Sequence, residues 1–480
     1  MRRALTHAAC LVLLASGLDS PPVASPAASV QVSRAEGARE AVSLTVYNSN
    51  LGLVRETRTV SLAAGLNEVR YMDVAAQINP RTVHIASVPA PGRLTVREQN
   101  YEYDLISPEK LMERFLGRNV RLIFGEGTPQ GSREVQAKLV STNGGLVYDI
   151  DGAIHVNPPA RVVLPEIPGG LISVPTLVWL LDAASAGAQK VETSYLTGGL
   201  SWSADYVGVV DDGDARADLT GWVTLENSSG ASFQDATLKL VAGEVHRAPQ
   251  PRMMVQSMEA DMVGKREFAE ESFFEYHLYT LERPATVKDR QTKQIQLLEA
   301  AEVPVKKTYL LAGEPVYYQT QVGQVGTNMK VAVELQLTNS EANHLGMPLP
   351  AGTVRLYKKD ASGSLQFVGE DHIEHTPKDE TVRLKVGEAF DVVADRVQTD
   401  FRAVSAGRYD AEVAFRITVR NHKKEDVVVT VREPVAGDWK VLSSTHPPKK
   451  VSAGTLEFSV PVPRDGESVL EYRVAVDSGR

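Results

Sequence analysis

The chain has 480 residues, 43% of them hydrophobic and 23% charged, with a formal net charge of −9 and one cysteine. That length carries roughly two to four domains with real cores, in a composition ordinary for a globular protein. The acidic balance excludes the electrostatic footprint of a nucleic-acid or anionic-lipid binder.

In chain order, Met1-Arg2-Arg3 and the apolar run Ala8 to Gly17 predict a secretory signal, assigned to residues 1–28. The run is too short for a stable bilayer anchor, so no integral span is expected in the mature chain. Cys10 lies inside this segment and precedes most of its apolar run, which does not fit a lipid anchor. A mature chain without it has no disulfide and no thiol chemistry. The expected location is periplasmic or secreted. Residues 29–40, rich in Ala, Ser and polar groups, are expected to be disordered.

From Val42 onward short alternating runs and turn signals predict a β-rich unit over residues 41–190. One helix interrupts it near 107–116: Ser107 is placed to cap, Pro108 suits the first helical position, and Gly117 stops it. Gly125-Glu126-Gly127 follows a strand without a helix behind it, so it predicts a hairpin turn and not a phosphate loop. The region 191–480 continues in the same manner, with a flexible excursion expected at 246–272 around Met253, Met254 and Met258. Strands are expected at Val316 to Thr320, Thr353 to Tyr357 and Leu365 to Gly369, the last two as a hairpin. Another is expected at Thr381 to Val386, closed by Gly387-Glu388. The fold class is therefore mainly β: tandem antiparallel β-sandwich-like domains with one short helix.

Candidate chemistry is sparse. The segment around Ser201 and Ser203 lacks a nucleophile elbow. Asp211-Asp212-Gly213-Asp214 lacks a full coordinating loop and is expected to be a solvated turn. The one crowded stretch is Glu370-Asp371-His372-Ile373-Glu374-His375. If extended, it places His372 and Glu374 on one face and Asp371, Ile373 and His375 on the other, splitting any metal site unless the backbone turns. The favoured expectation is a polar turn between strands. The metal candidates, should the segment converge, are Asp371, His372, Glu374 and His375, joined by His344. Tyr101, Tyr103, Trp202 and Tyr206 are candidates to touch a glycan or protein, although core packing is the favoured expectation.

Several segments resemble one family. They are TVYNSNLGLVRE (Thr45 to Glu56), MDVAAQINP (Met72 to Pro80), EQNYEYDLIS (Glu98 to Ser107) and SYLTGGLSWSADYVG (Ser194 to Gly208). Further on come GWVTLENSSGASFQDATLKLVAGEV (Gly221 to Val245) and EYHLYTLERPATVKDRQTKQIQLL (Glu275 to Leu298). The last are LGMPLPAGTVRLYKKD, FVGEDHIEHTPKDE and VGEAFDVV. Together they resemble the bacterial DUF4139 family, a domain of unknown function also found in mucoidy-inhibitor-A-like proteins. The chain departs from the latter in lacking a long coiled-coil insertion. The resemblance implies an exported, β-rich envelope protein and supplies no catalytic residues or cofactor. The leading functional expectation is non-enzymatic binding or assembly at the envelope, with a protein or glycan partner. Its rivals are a metal-dependent hydrolase built on residues 371–375 and a structural subunit pairing through exposed edge strands.

Overall fold

Apolar–polar alternation generates most of the elements, and the computed structural model shows where each apolar face goes. It describes residues 31–34, 39–88, 93–125, 131–243, 268–273, 276–404 and 410–477. The expected signal segment and Met253, Met254 and Met258 lie outside the described residues. So do residues 126 and 127 of the expected hairpin turn, whose flanking strands Asn119–Phe124 and Arg133–Ser141 do pair antiparallel.

The described residues are mainly β, in five sheets, with one α-helix, Pro108–Arg114. Ser107 Oγ accepts from Lys110 N at 3.2 Å and Pro108 opens the helix, so its start is fixed by the cap. Gly117 follows with φ +77°, a conformation glycine adopts without steric cost. Among the described residues no helix is long and apolar enough to cross a membrane.

Three of the sheets share one core. They have four, eight and five strands, and their inward residues include Leu44, Val54, Trp179, Tyr206, Leu240 and Val354. A separate five-stranded sheet from Asn119 to Val163 closes a small core of its own over Phe115, Leu122, Leu139 and Tyr148. The nine-stranded sheet curls until its two ends meet, with Phe458 and Tyr472 rings 4.9 Å apart inside. Two long strands, Gln324–Thr338 and Thr381–Ala403, pair antiparallel and run from the first core into the third. Leu335, Leu337, Val382 and Leu384 pack in the former; Val331, Ala389, Val392 and Ala394 pack in the latter.

Several expectations are corrected. Gly387-Glu388 does not close a strand: Thr381–Ala403 continues through it, and the pairing slips on either side of Val333, which faces Gly387. Such bulges bend a ribbon without ending it. Val316 to Thr320 is not a strand: its first three residues lie inside the 3-10 turn Pro315–Tyr318. Tyr317 and Tyr318 are adjacent yet both buried, which strand alternation forbids. Gln31–Arg34, within the segment expected to be disordered, is a strand parallel to Gly65–Met72. Phe268–Phe273, which overlaps the end of the expected excursion, is a strand on Tyr276–Leu281.

The division expected at residue 190 falls inside the strand Gly187–Thr197. That strand lies between Leu51–Leu62 and His84–Ser87, while Ala41–Tyr47 pairs parallel with Phe233–Ala242. Segments from both sides of residue 190 thus share one sheet and one core. Parallel pairing between segments so far apart leaves no local periodicity to read.

Candidate functional site

The crowded stretch at 370–375 is a strand end, not a turn, through Ile373. Leu365–Ile373 forms the edge of a five-stranded sheet, hairpinned to Gly352–Lys359. Period-two alternation then separates the candidates as geometry requires. Ile373 is buried and Asp371 leans inward on the same side, while His372 and Glu370 face outward. The Asp371 carboxylate accepts from the amides of His372 (2.9 Å) and Lys385 (2.7 Å), stitching this strand to Thr381–Ala403. His375 Nδ1 accepts from the Ala351 amide at 3.1 Å, which makes it part of the turn before Gly352. Glu374 is exposed beyond the strand, and the Glu374 carbonyl accepts from the Thr376 hydroxyl at 2.9 Å. His344, in a left-handed conformation, donates from Nδ1 to the Ala301 carbonyl at 2.8 Å. Among the described residues no three His, Cys, Asp or Glu side chains are grouped to hold a metal ion.

The same hairpin builds a different surface. Across the sheet the strands run Gln291–Pro304, Arg216–Asn227, Leu200–Val210, Gly352–Lys359 and Leu365–Ile373. One parity faces the core, with Trp202, Ala204, Tyr206, Leu219, Val223, Leu225, Val354 and Leu356. Tyr206 donates its hydroxyl to the Pro350 carbonyl at 2.8 Å and Trp202 its indole N–H to the Val241 carbonyl at 3.1 Å. Both are core residues, not contact residues. Tyr101 is half-buried, its hydroxyl donating to the Ala76 carbonyl at 3.1 Å, and its ring stacks on exposed Tyr103 at 5.6 Å.

The opposite parity forms an open outer face. A row of polar side chains crosses all five strands on it. Gln294 Nε2 donates to Thr224 Oγ1 (3.3 Å), and Thr224 Oγ1 donates to Asp205 Oδ2 (2.8 Å). Arg355 donates from Nη1 to Asp205 Oδ1 at 3.0 Å and pairs through Nε with Glu370 Oε2 at 3.2 Å. Gln294 faces Thr224 and Arg355 faces Glu370 across antiparallel pairs, while Asp205 reaches Thr224 and Arg355 diagonally, the latter across the parallel pair of Leu200–Val210 with Gly352–Lys359.

Beside the row runs an aromatic and aliphatic strip: Trp222, Val207, Val209, Tyr357 and Phe367. The first four are half-buried, and Phe367 is 56% exposed. Tyr357 and Phe367 meet edge to face at 5.7 Å. From the register, Asp205 faces Trp222 and Val209 lies beside Tyr357. That places the two rings on the order of 16 Å apart, from about 3.3 Å per residue and about 4.8 Å between strands. Asp218, Glu226 and Glu299 stand exposed around the margins.

The hairpin tip that carries Phe367 is shaped by Asp360. Its carboxylate accepts from the Ser362 hydroxyl, the Gln366 amide and the Ser364 backbone. Those donors, the Ser362 hydroxyl first, pull the Asp360 carboxyl down to about 2. The expected Asp211 to Asp214 turn is likewise internally bonded: Asp211 Oδ1 accepts from the Ala215 and Arg216 amides, and Asp214 pairs with Lys307 and Lys358. A concavity of about 370 Å³ opens on the nine-stranded sheet over Ala414. Its charges are matched in place, Arg416 with Glu471 at 2.6 Å and Arg473 with Asp400 at 2.8 Å. Its Thr445 hydroxyl accepts from the Glu471 amide at 2.9 Å.

Trp222, Tyr357 and the Asp205–Arg355–Glu370 row were missed by sequence reasoning. A signal existed for Trp222: it shares parity with Thr220, Thr224 and Glu226, whereas Leu219, Val223 and Leu225 mark the core side. Nothing local joins Asp205 to Arg355, which are 150 positions apart.

All five strands of this face lie within the part of the chain that matches a known family. Residues 191–478 match the family described as Domain of unknown function (DUF4139), which is more than half of the chain. The chain belongs to that family. No curated protein matches it.

Proposed function

For this member of the DUF4139 family we propose an exported, envelope-associated protein that acts by binding, without catalysing a reaction, through the outer face of its five-stranded sheet. The observation that carries the reading is the polar row from Gln294 to Glu370 laid beside a half-buried strip, Trp222 to Tyr357, that ends on exposed Phe367. Such a face is already ordered by its own cross-strand bonds, so a partner meets it without the cost of arranging it. A protein or a glycan of the envelope is the class of partner. Catalysis by residues 371–375 has no comparable support, since Asp371 and His375 serve the backbone and His372 lies on the opposite parity.

The test is fractionation of cells expressing the full chain. The reading expects removal of the segment near residues 1–28 and co-sedimentation of the mature chain with envelope material. That sedimentation drops in Trp222→Ala and Tyr357→Ala. An uncleaved chain in the cytosol contradicts export, and sedimentation untouched by both variants contradicts the face.

A second reading, assembly of copies by strand addition, draws on Leu365, Phe367 and Val368, which are exposed on an edge strand. Size that grows with concentration, and reverts in Leu365→Lys, is its signature.

A further inference from the structure

We propose that the ligand of this outer face is an uncharged polysaccharide chain, lying along the strip from Trp222 to Phe367 with its hydroxyls on the Asp205–Arg355–Glu370 row. This rests on the reading of that face as the binding surface and goes on to name what it takes.

Shape comes first. The face is open and pleated, not a pocket, and its aromatic positions are spread over a span that accommodates several pyranose rings in line. An extended polymer matches that better than a compact small molecule, which needs a concave site. Aromatic side chains offer apolar surface and an electron-rich face to the C–H side of a sugar ring at low entropic cost. The polar row offers both kinds of partner a hydroxyl needs: carboxylate acceptors at Asp205 and Glu370, and amide or guanidinium donors at Gln294 and Arg355.

Charge decides between ligand classes. The one guanidinium of the row is shared by two carboxylates, so it has no charge left to recruit an anion. Asp218, Glu226 and Glu299 on the margins outnumber the cations of the same parity, Lys359 and Arg216, and Arg216 is held by Glu302 at 2.7 Å. A polyanionic glycan is repelled by this field. A protein partner is disfavoured for a different reason. The charged row crosses the middle of the face, where interface cores are depleted of charge, and a protein covering it would have to desolvate all three ionised groups. A neutral hydroxylated chain satisfies those groups while it covers them.

The experiment is calorimetric titration of the purified mature chain with cellohexaose and with chitohexaose, both uncharged, and with polygalacturonate as the anionic comparison. The expected result is saturable binding of at least one neutral hexasaccharide, tighter than its disaccharide, with no binding of polygalacturonate. Trp222→Ala and the doubly substituted Tyr357→Ala/Phe367→Ala each weaken it by about tenfold or more. Phe367 and Tyr357 are on the surface, so the double variant reports binding even if Trp222→Ala is poorly folded. Absence of saturable binding to both neutral probes overturns the assignment, as does tighter binding of polygalacturonate or binding that neither variant weakens. If the neutral probes fail while envelope sedimentation still depends on Trp222, the glycan assignment falls and the face stands as a surface for a protein. Loss of both fells the whole reading.

Discussion

Arg396 and Glu433 meet at 3.0 Å with both side chains fully buried in the core of the nine-stranded sheet. The Tyr318 hydroxyl donates to Glu433 Oε2 at 2.8 Å and lies 2.8 Å from the Tyr472 hydroxyl, while the guanidinium sits over the Tyr317 ring. The Pro315–Tyr318 turn exists to deliver those two tyrosines side by side. Removing one charge strands the other away from water, so Glu433→Ala is expected to cost about 3–5 kcal/mol. Replacing both, as Arg396→Met with Glu433→Leu, costs less than that single change. Urea unfolding of the three proteins measures the difference.

Gly313 backs the same pair. A Cβ at that position would stand 2.0 Å from Glu433 Oε2 and 2.7 Å from Arg396 Nη1. Neither group has room to retreat, so Gly313→Ala is expected to destabilise by about 1–3 kcal/mol. Gly387 is the matched comparison, because a Cβ there meets nothing within 4 Å. Gly387→Ala should be neutral or stabilise by up to about 1 kcal/mol through the unfolded chain. Thermal melts of both variants check the contrast.

The Asp360 turn predicts a pH dependence of the hairpin that presents Phe367. Its carboxyl is lowered from 3.8 to about 2 by the Ser362 hydroxyl, the Gln366 amide and the Ser364 backbone. The folded carboxyl therefore binds its proton less readily than the unfolded one. Its contribution is complete above 3.8 and is lost as pH falls through about 2. Amide shifts of Ser362 and Ser364, followed by NMR from pH 5 downward, should titrate near the lower value, and Asp360→Asn should flatten them.

The polar row predicts a split between stability and binding. Arg355 and Asp205 are partly exposed, at 39% and 25% of their side chains, so their ion pair adds little to folding. Arg355→Lys keeps the charge and loses the planar fork that reaches Asp205 and Glu370 together. The expected result is a stability change below about 1 kcal/mol with a clear loss of envelope sedimentation. Equal losses in both measurements would assign Arg355 to the fold alone.

Local chemistry was legible in the sequence wherever one segment decided it. Ser107 and Pro108 announced the helix and Asp360 and Gly363 the hairpin turn, whereas Glu370 to Ile373, expected as a polar turn, is the end of a strand. What stayed hidden depends on partners far along the chain. Gly352–Lys359 lies parallel to Leu200–Val210, and only that pairing brings Arg355 to Asp205. Parity was equally decisive for the aromatics. Trp202 and Tyr206 alternate with Ser203 and Asp205 and face the core; Trp222 alternates with Val223 and Leu225 and faces out. The adjacent tyrosines at 317 and 318 suit a strand by composition and are turned by Pro315 and by the buried Glu433 instead.

The most direct measurement is hydroxyl-radical footprinting of the mature chain, alone and bound to isolated envelope material. The account predicts that oxidation of Trp222, Tyr357 and Phe367 falls on binding while that of Phe390, 86% exposed on another strand, is unchanged. Unaltered oxidation at those three, with protection appearing instead around Phe390 or over Ala414 on the nine-stranded sheet, would contradict it.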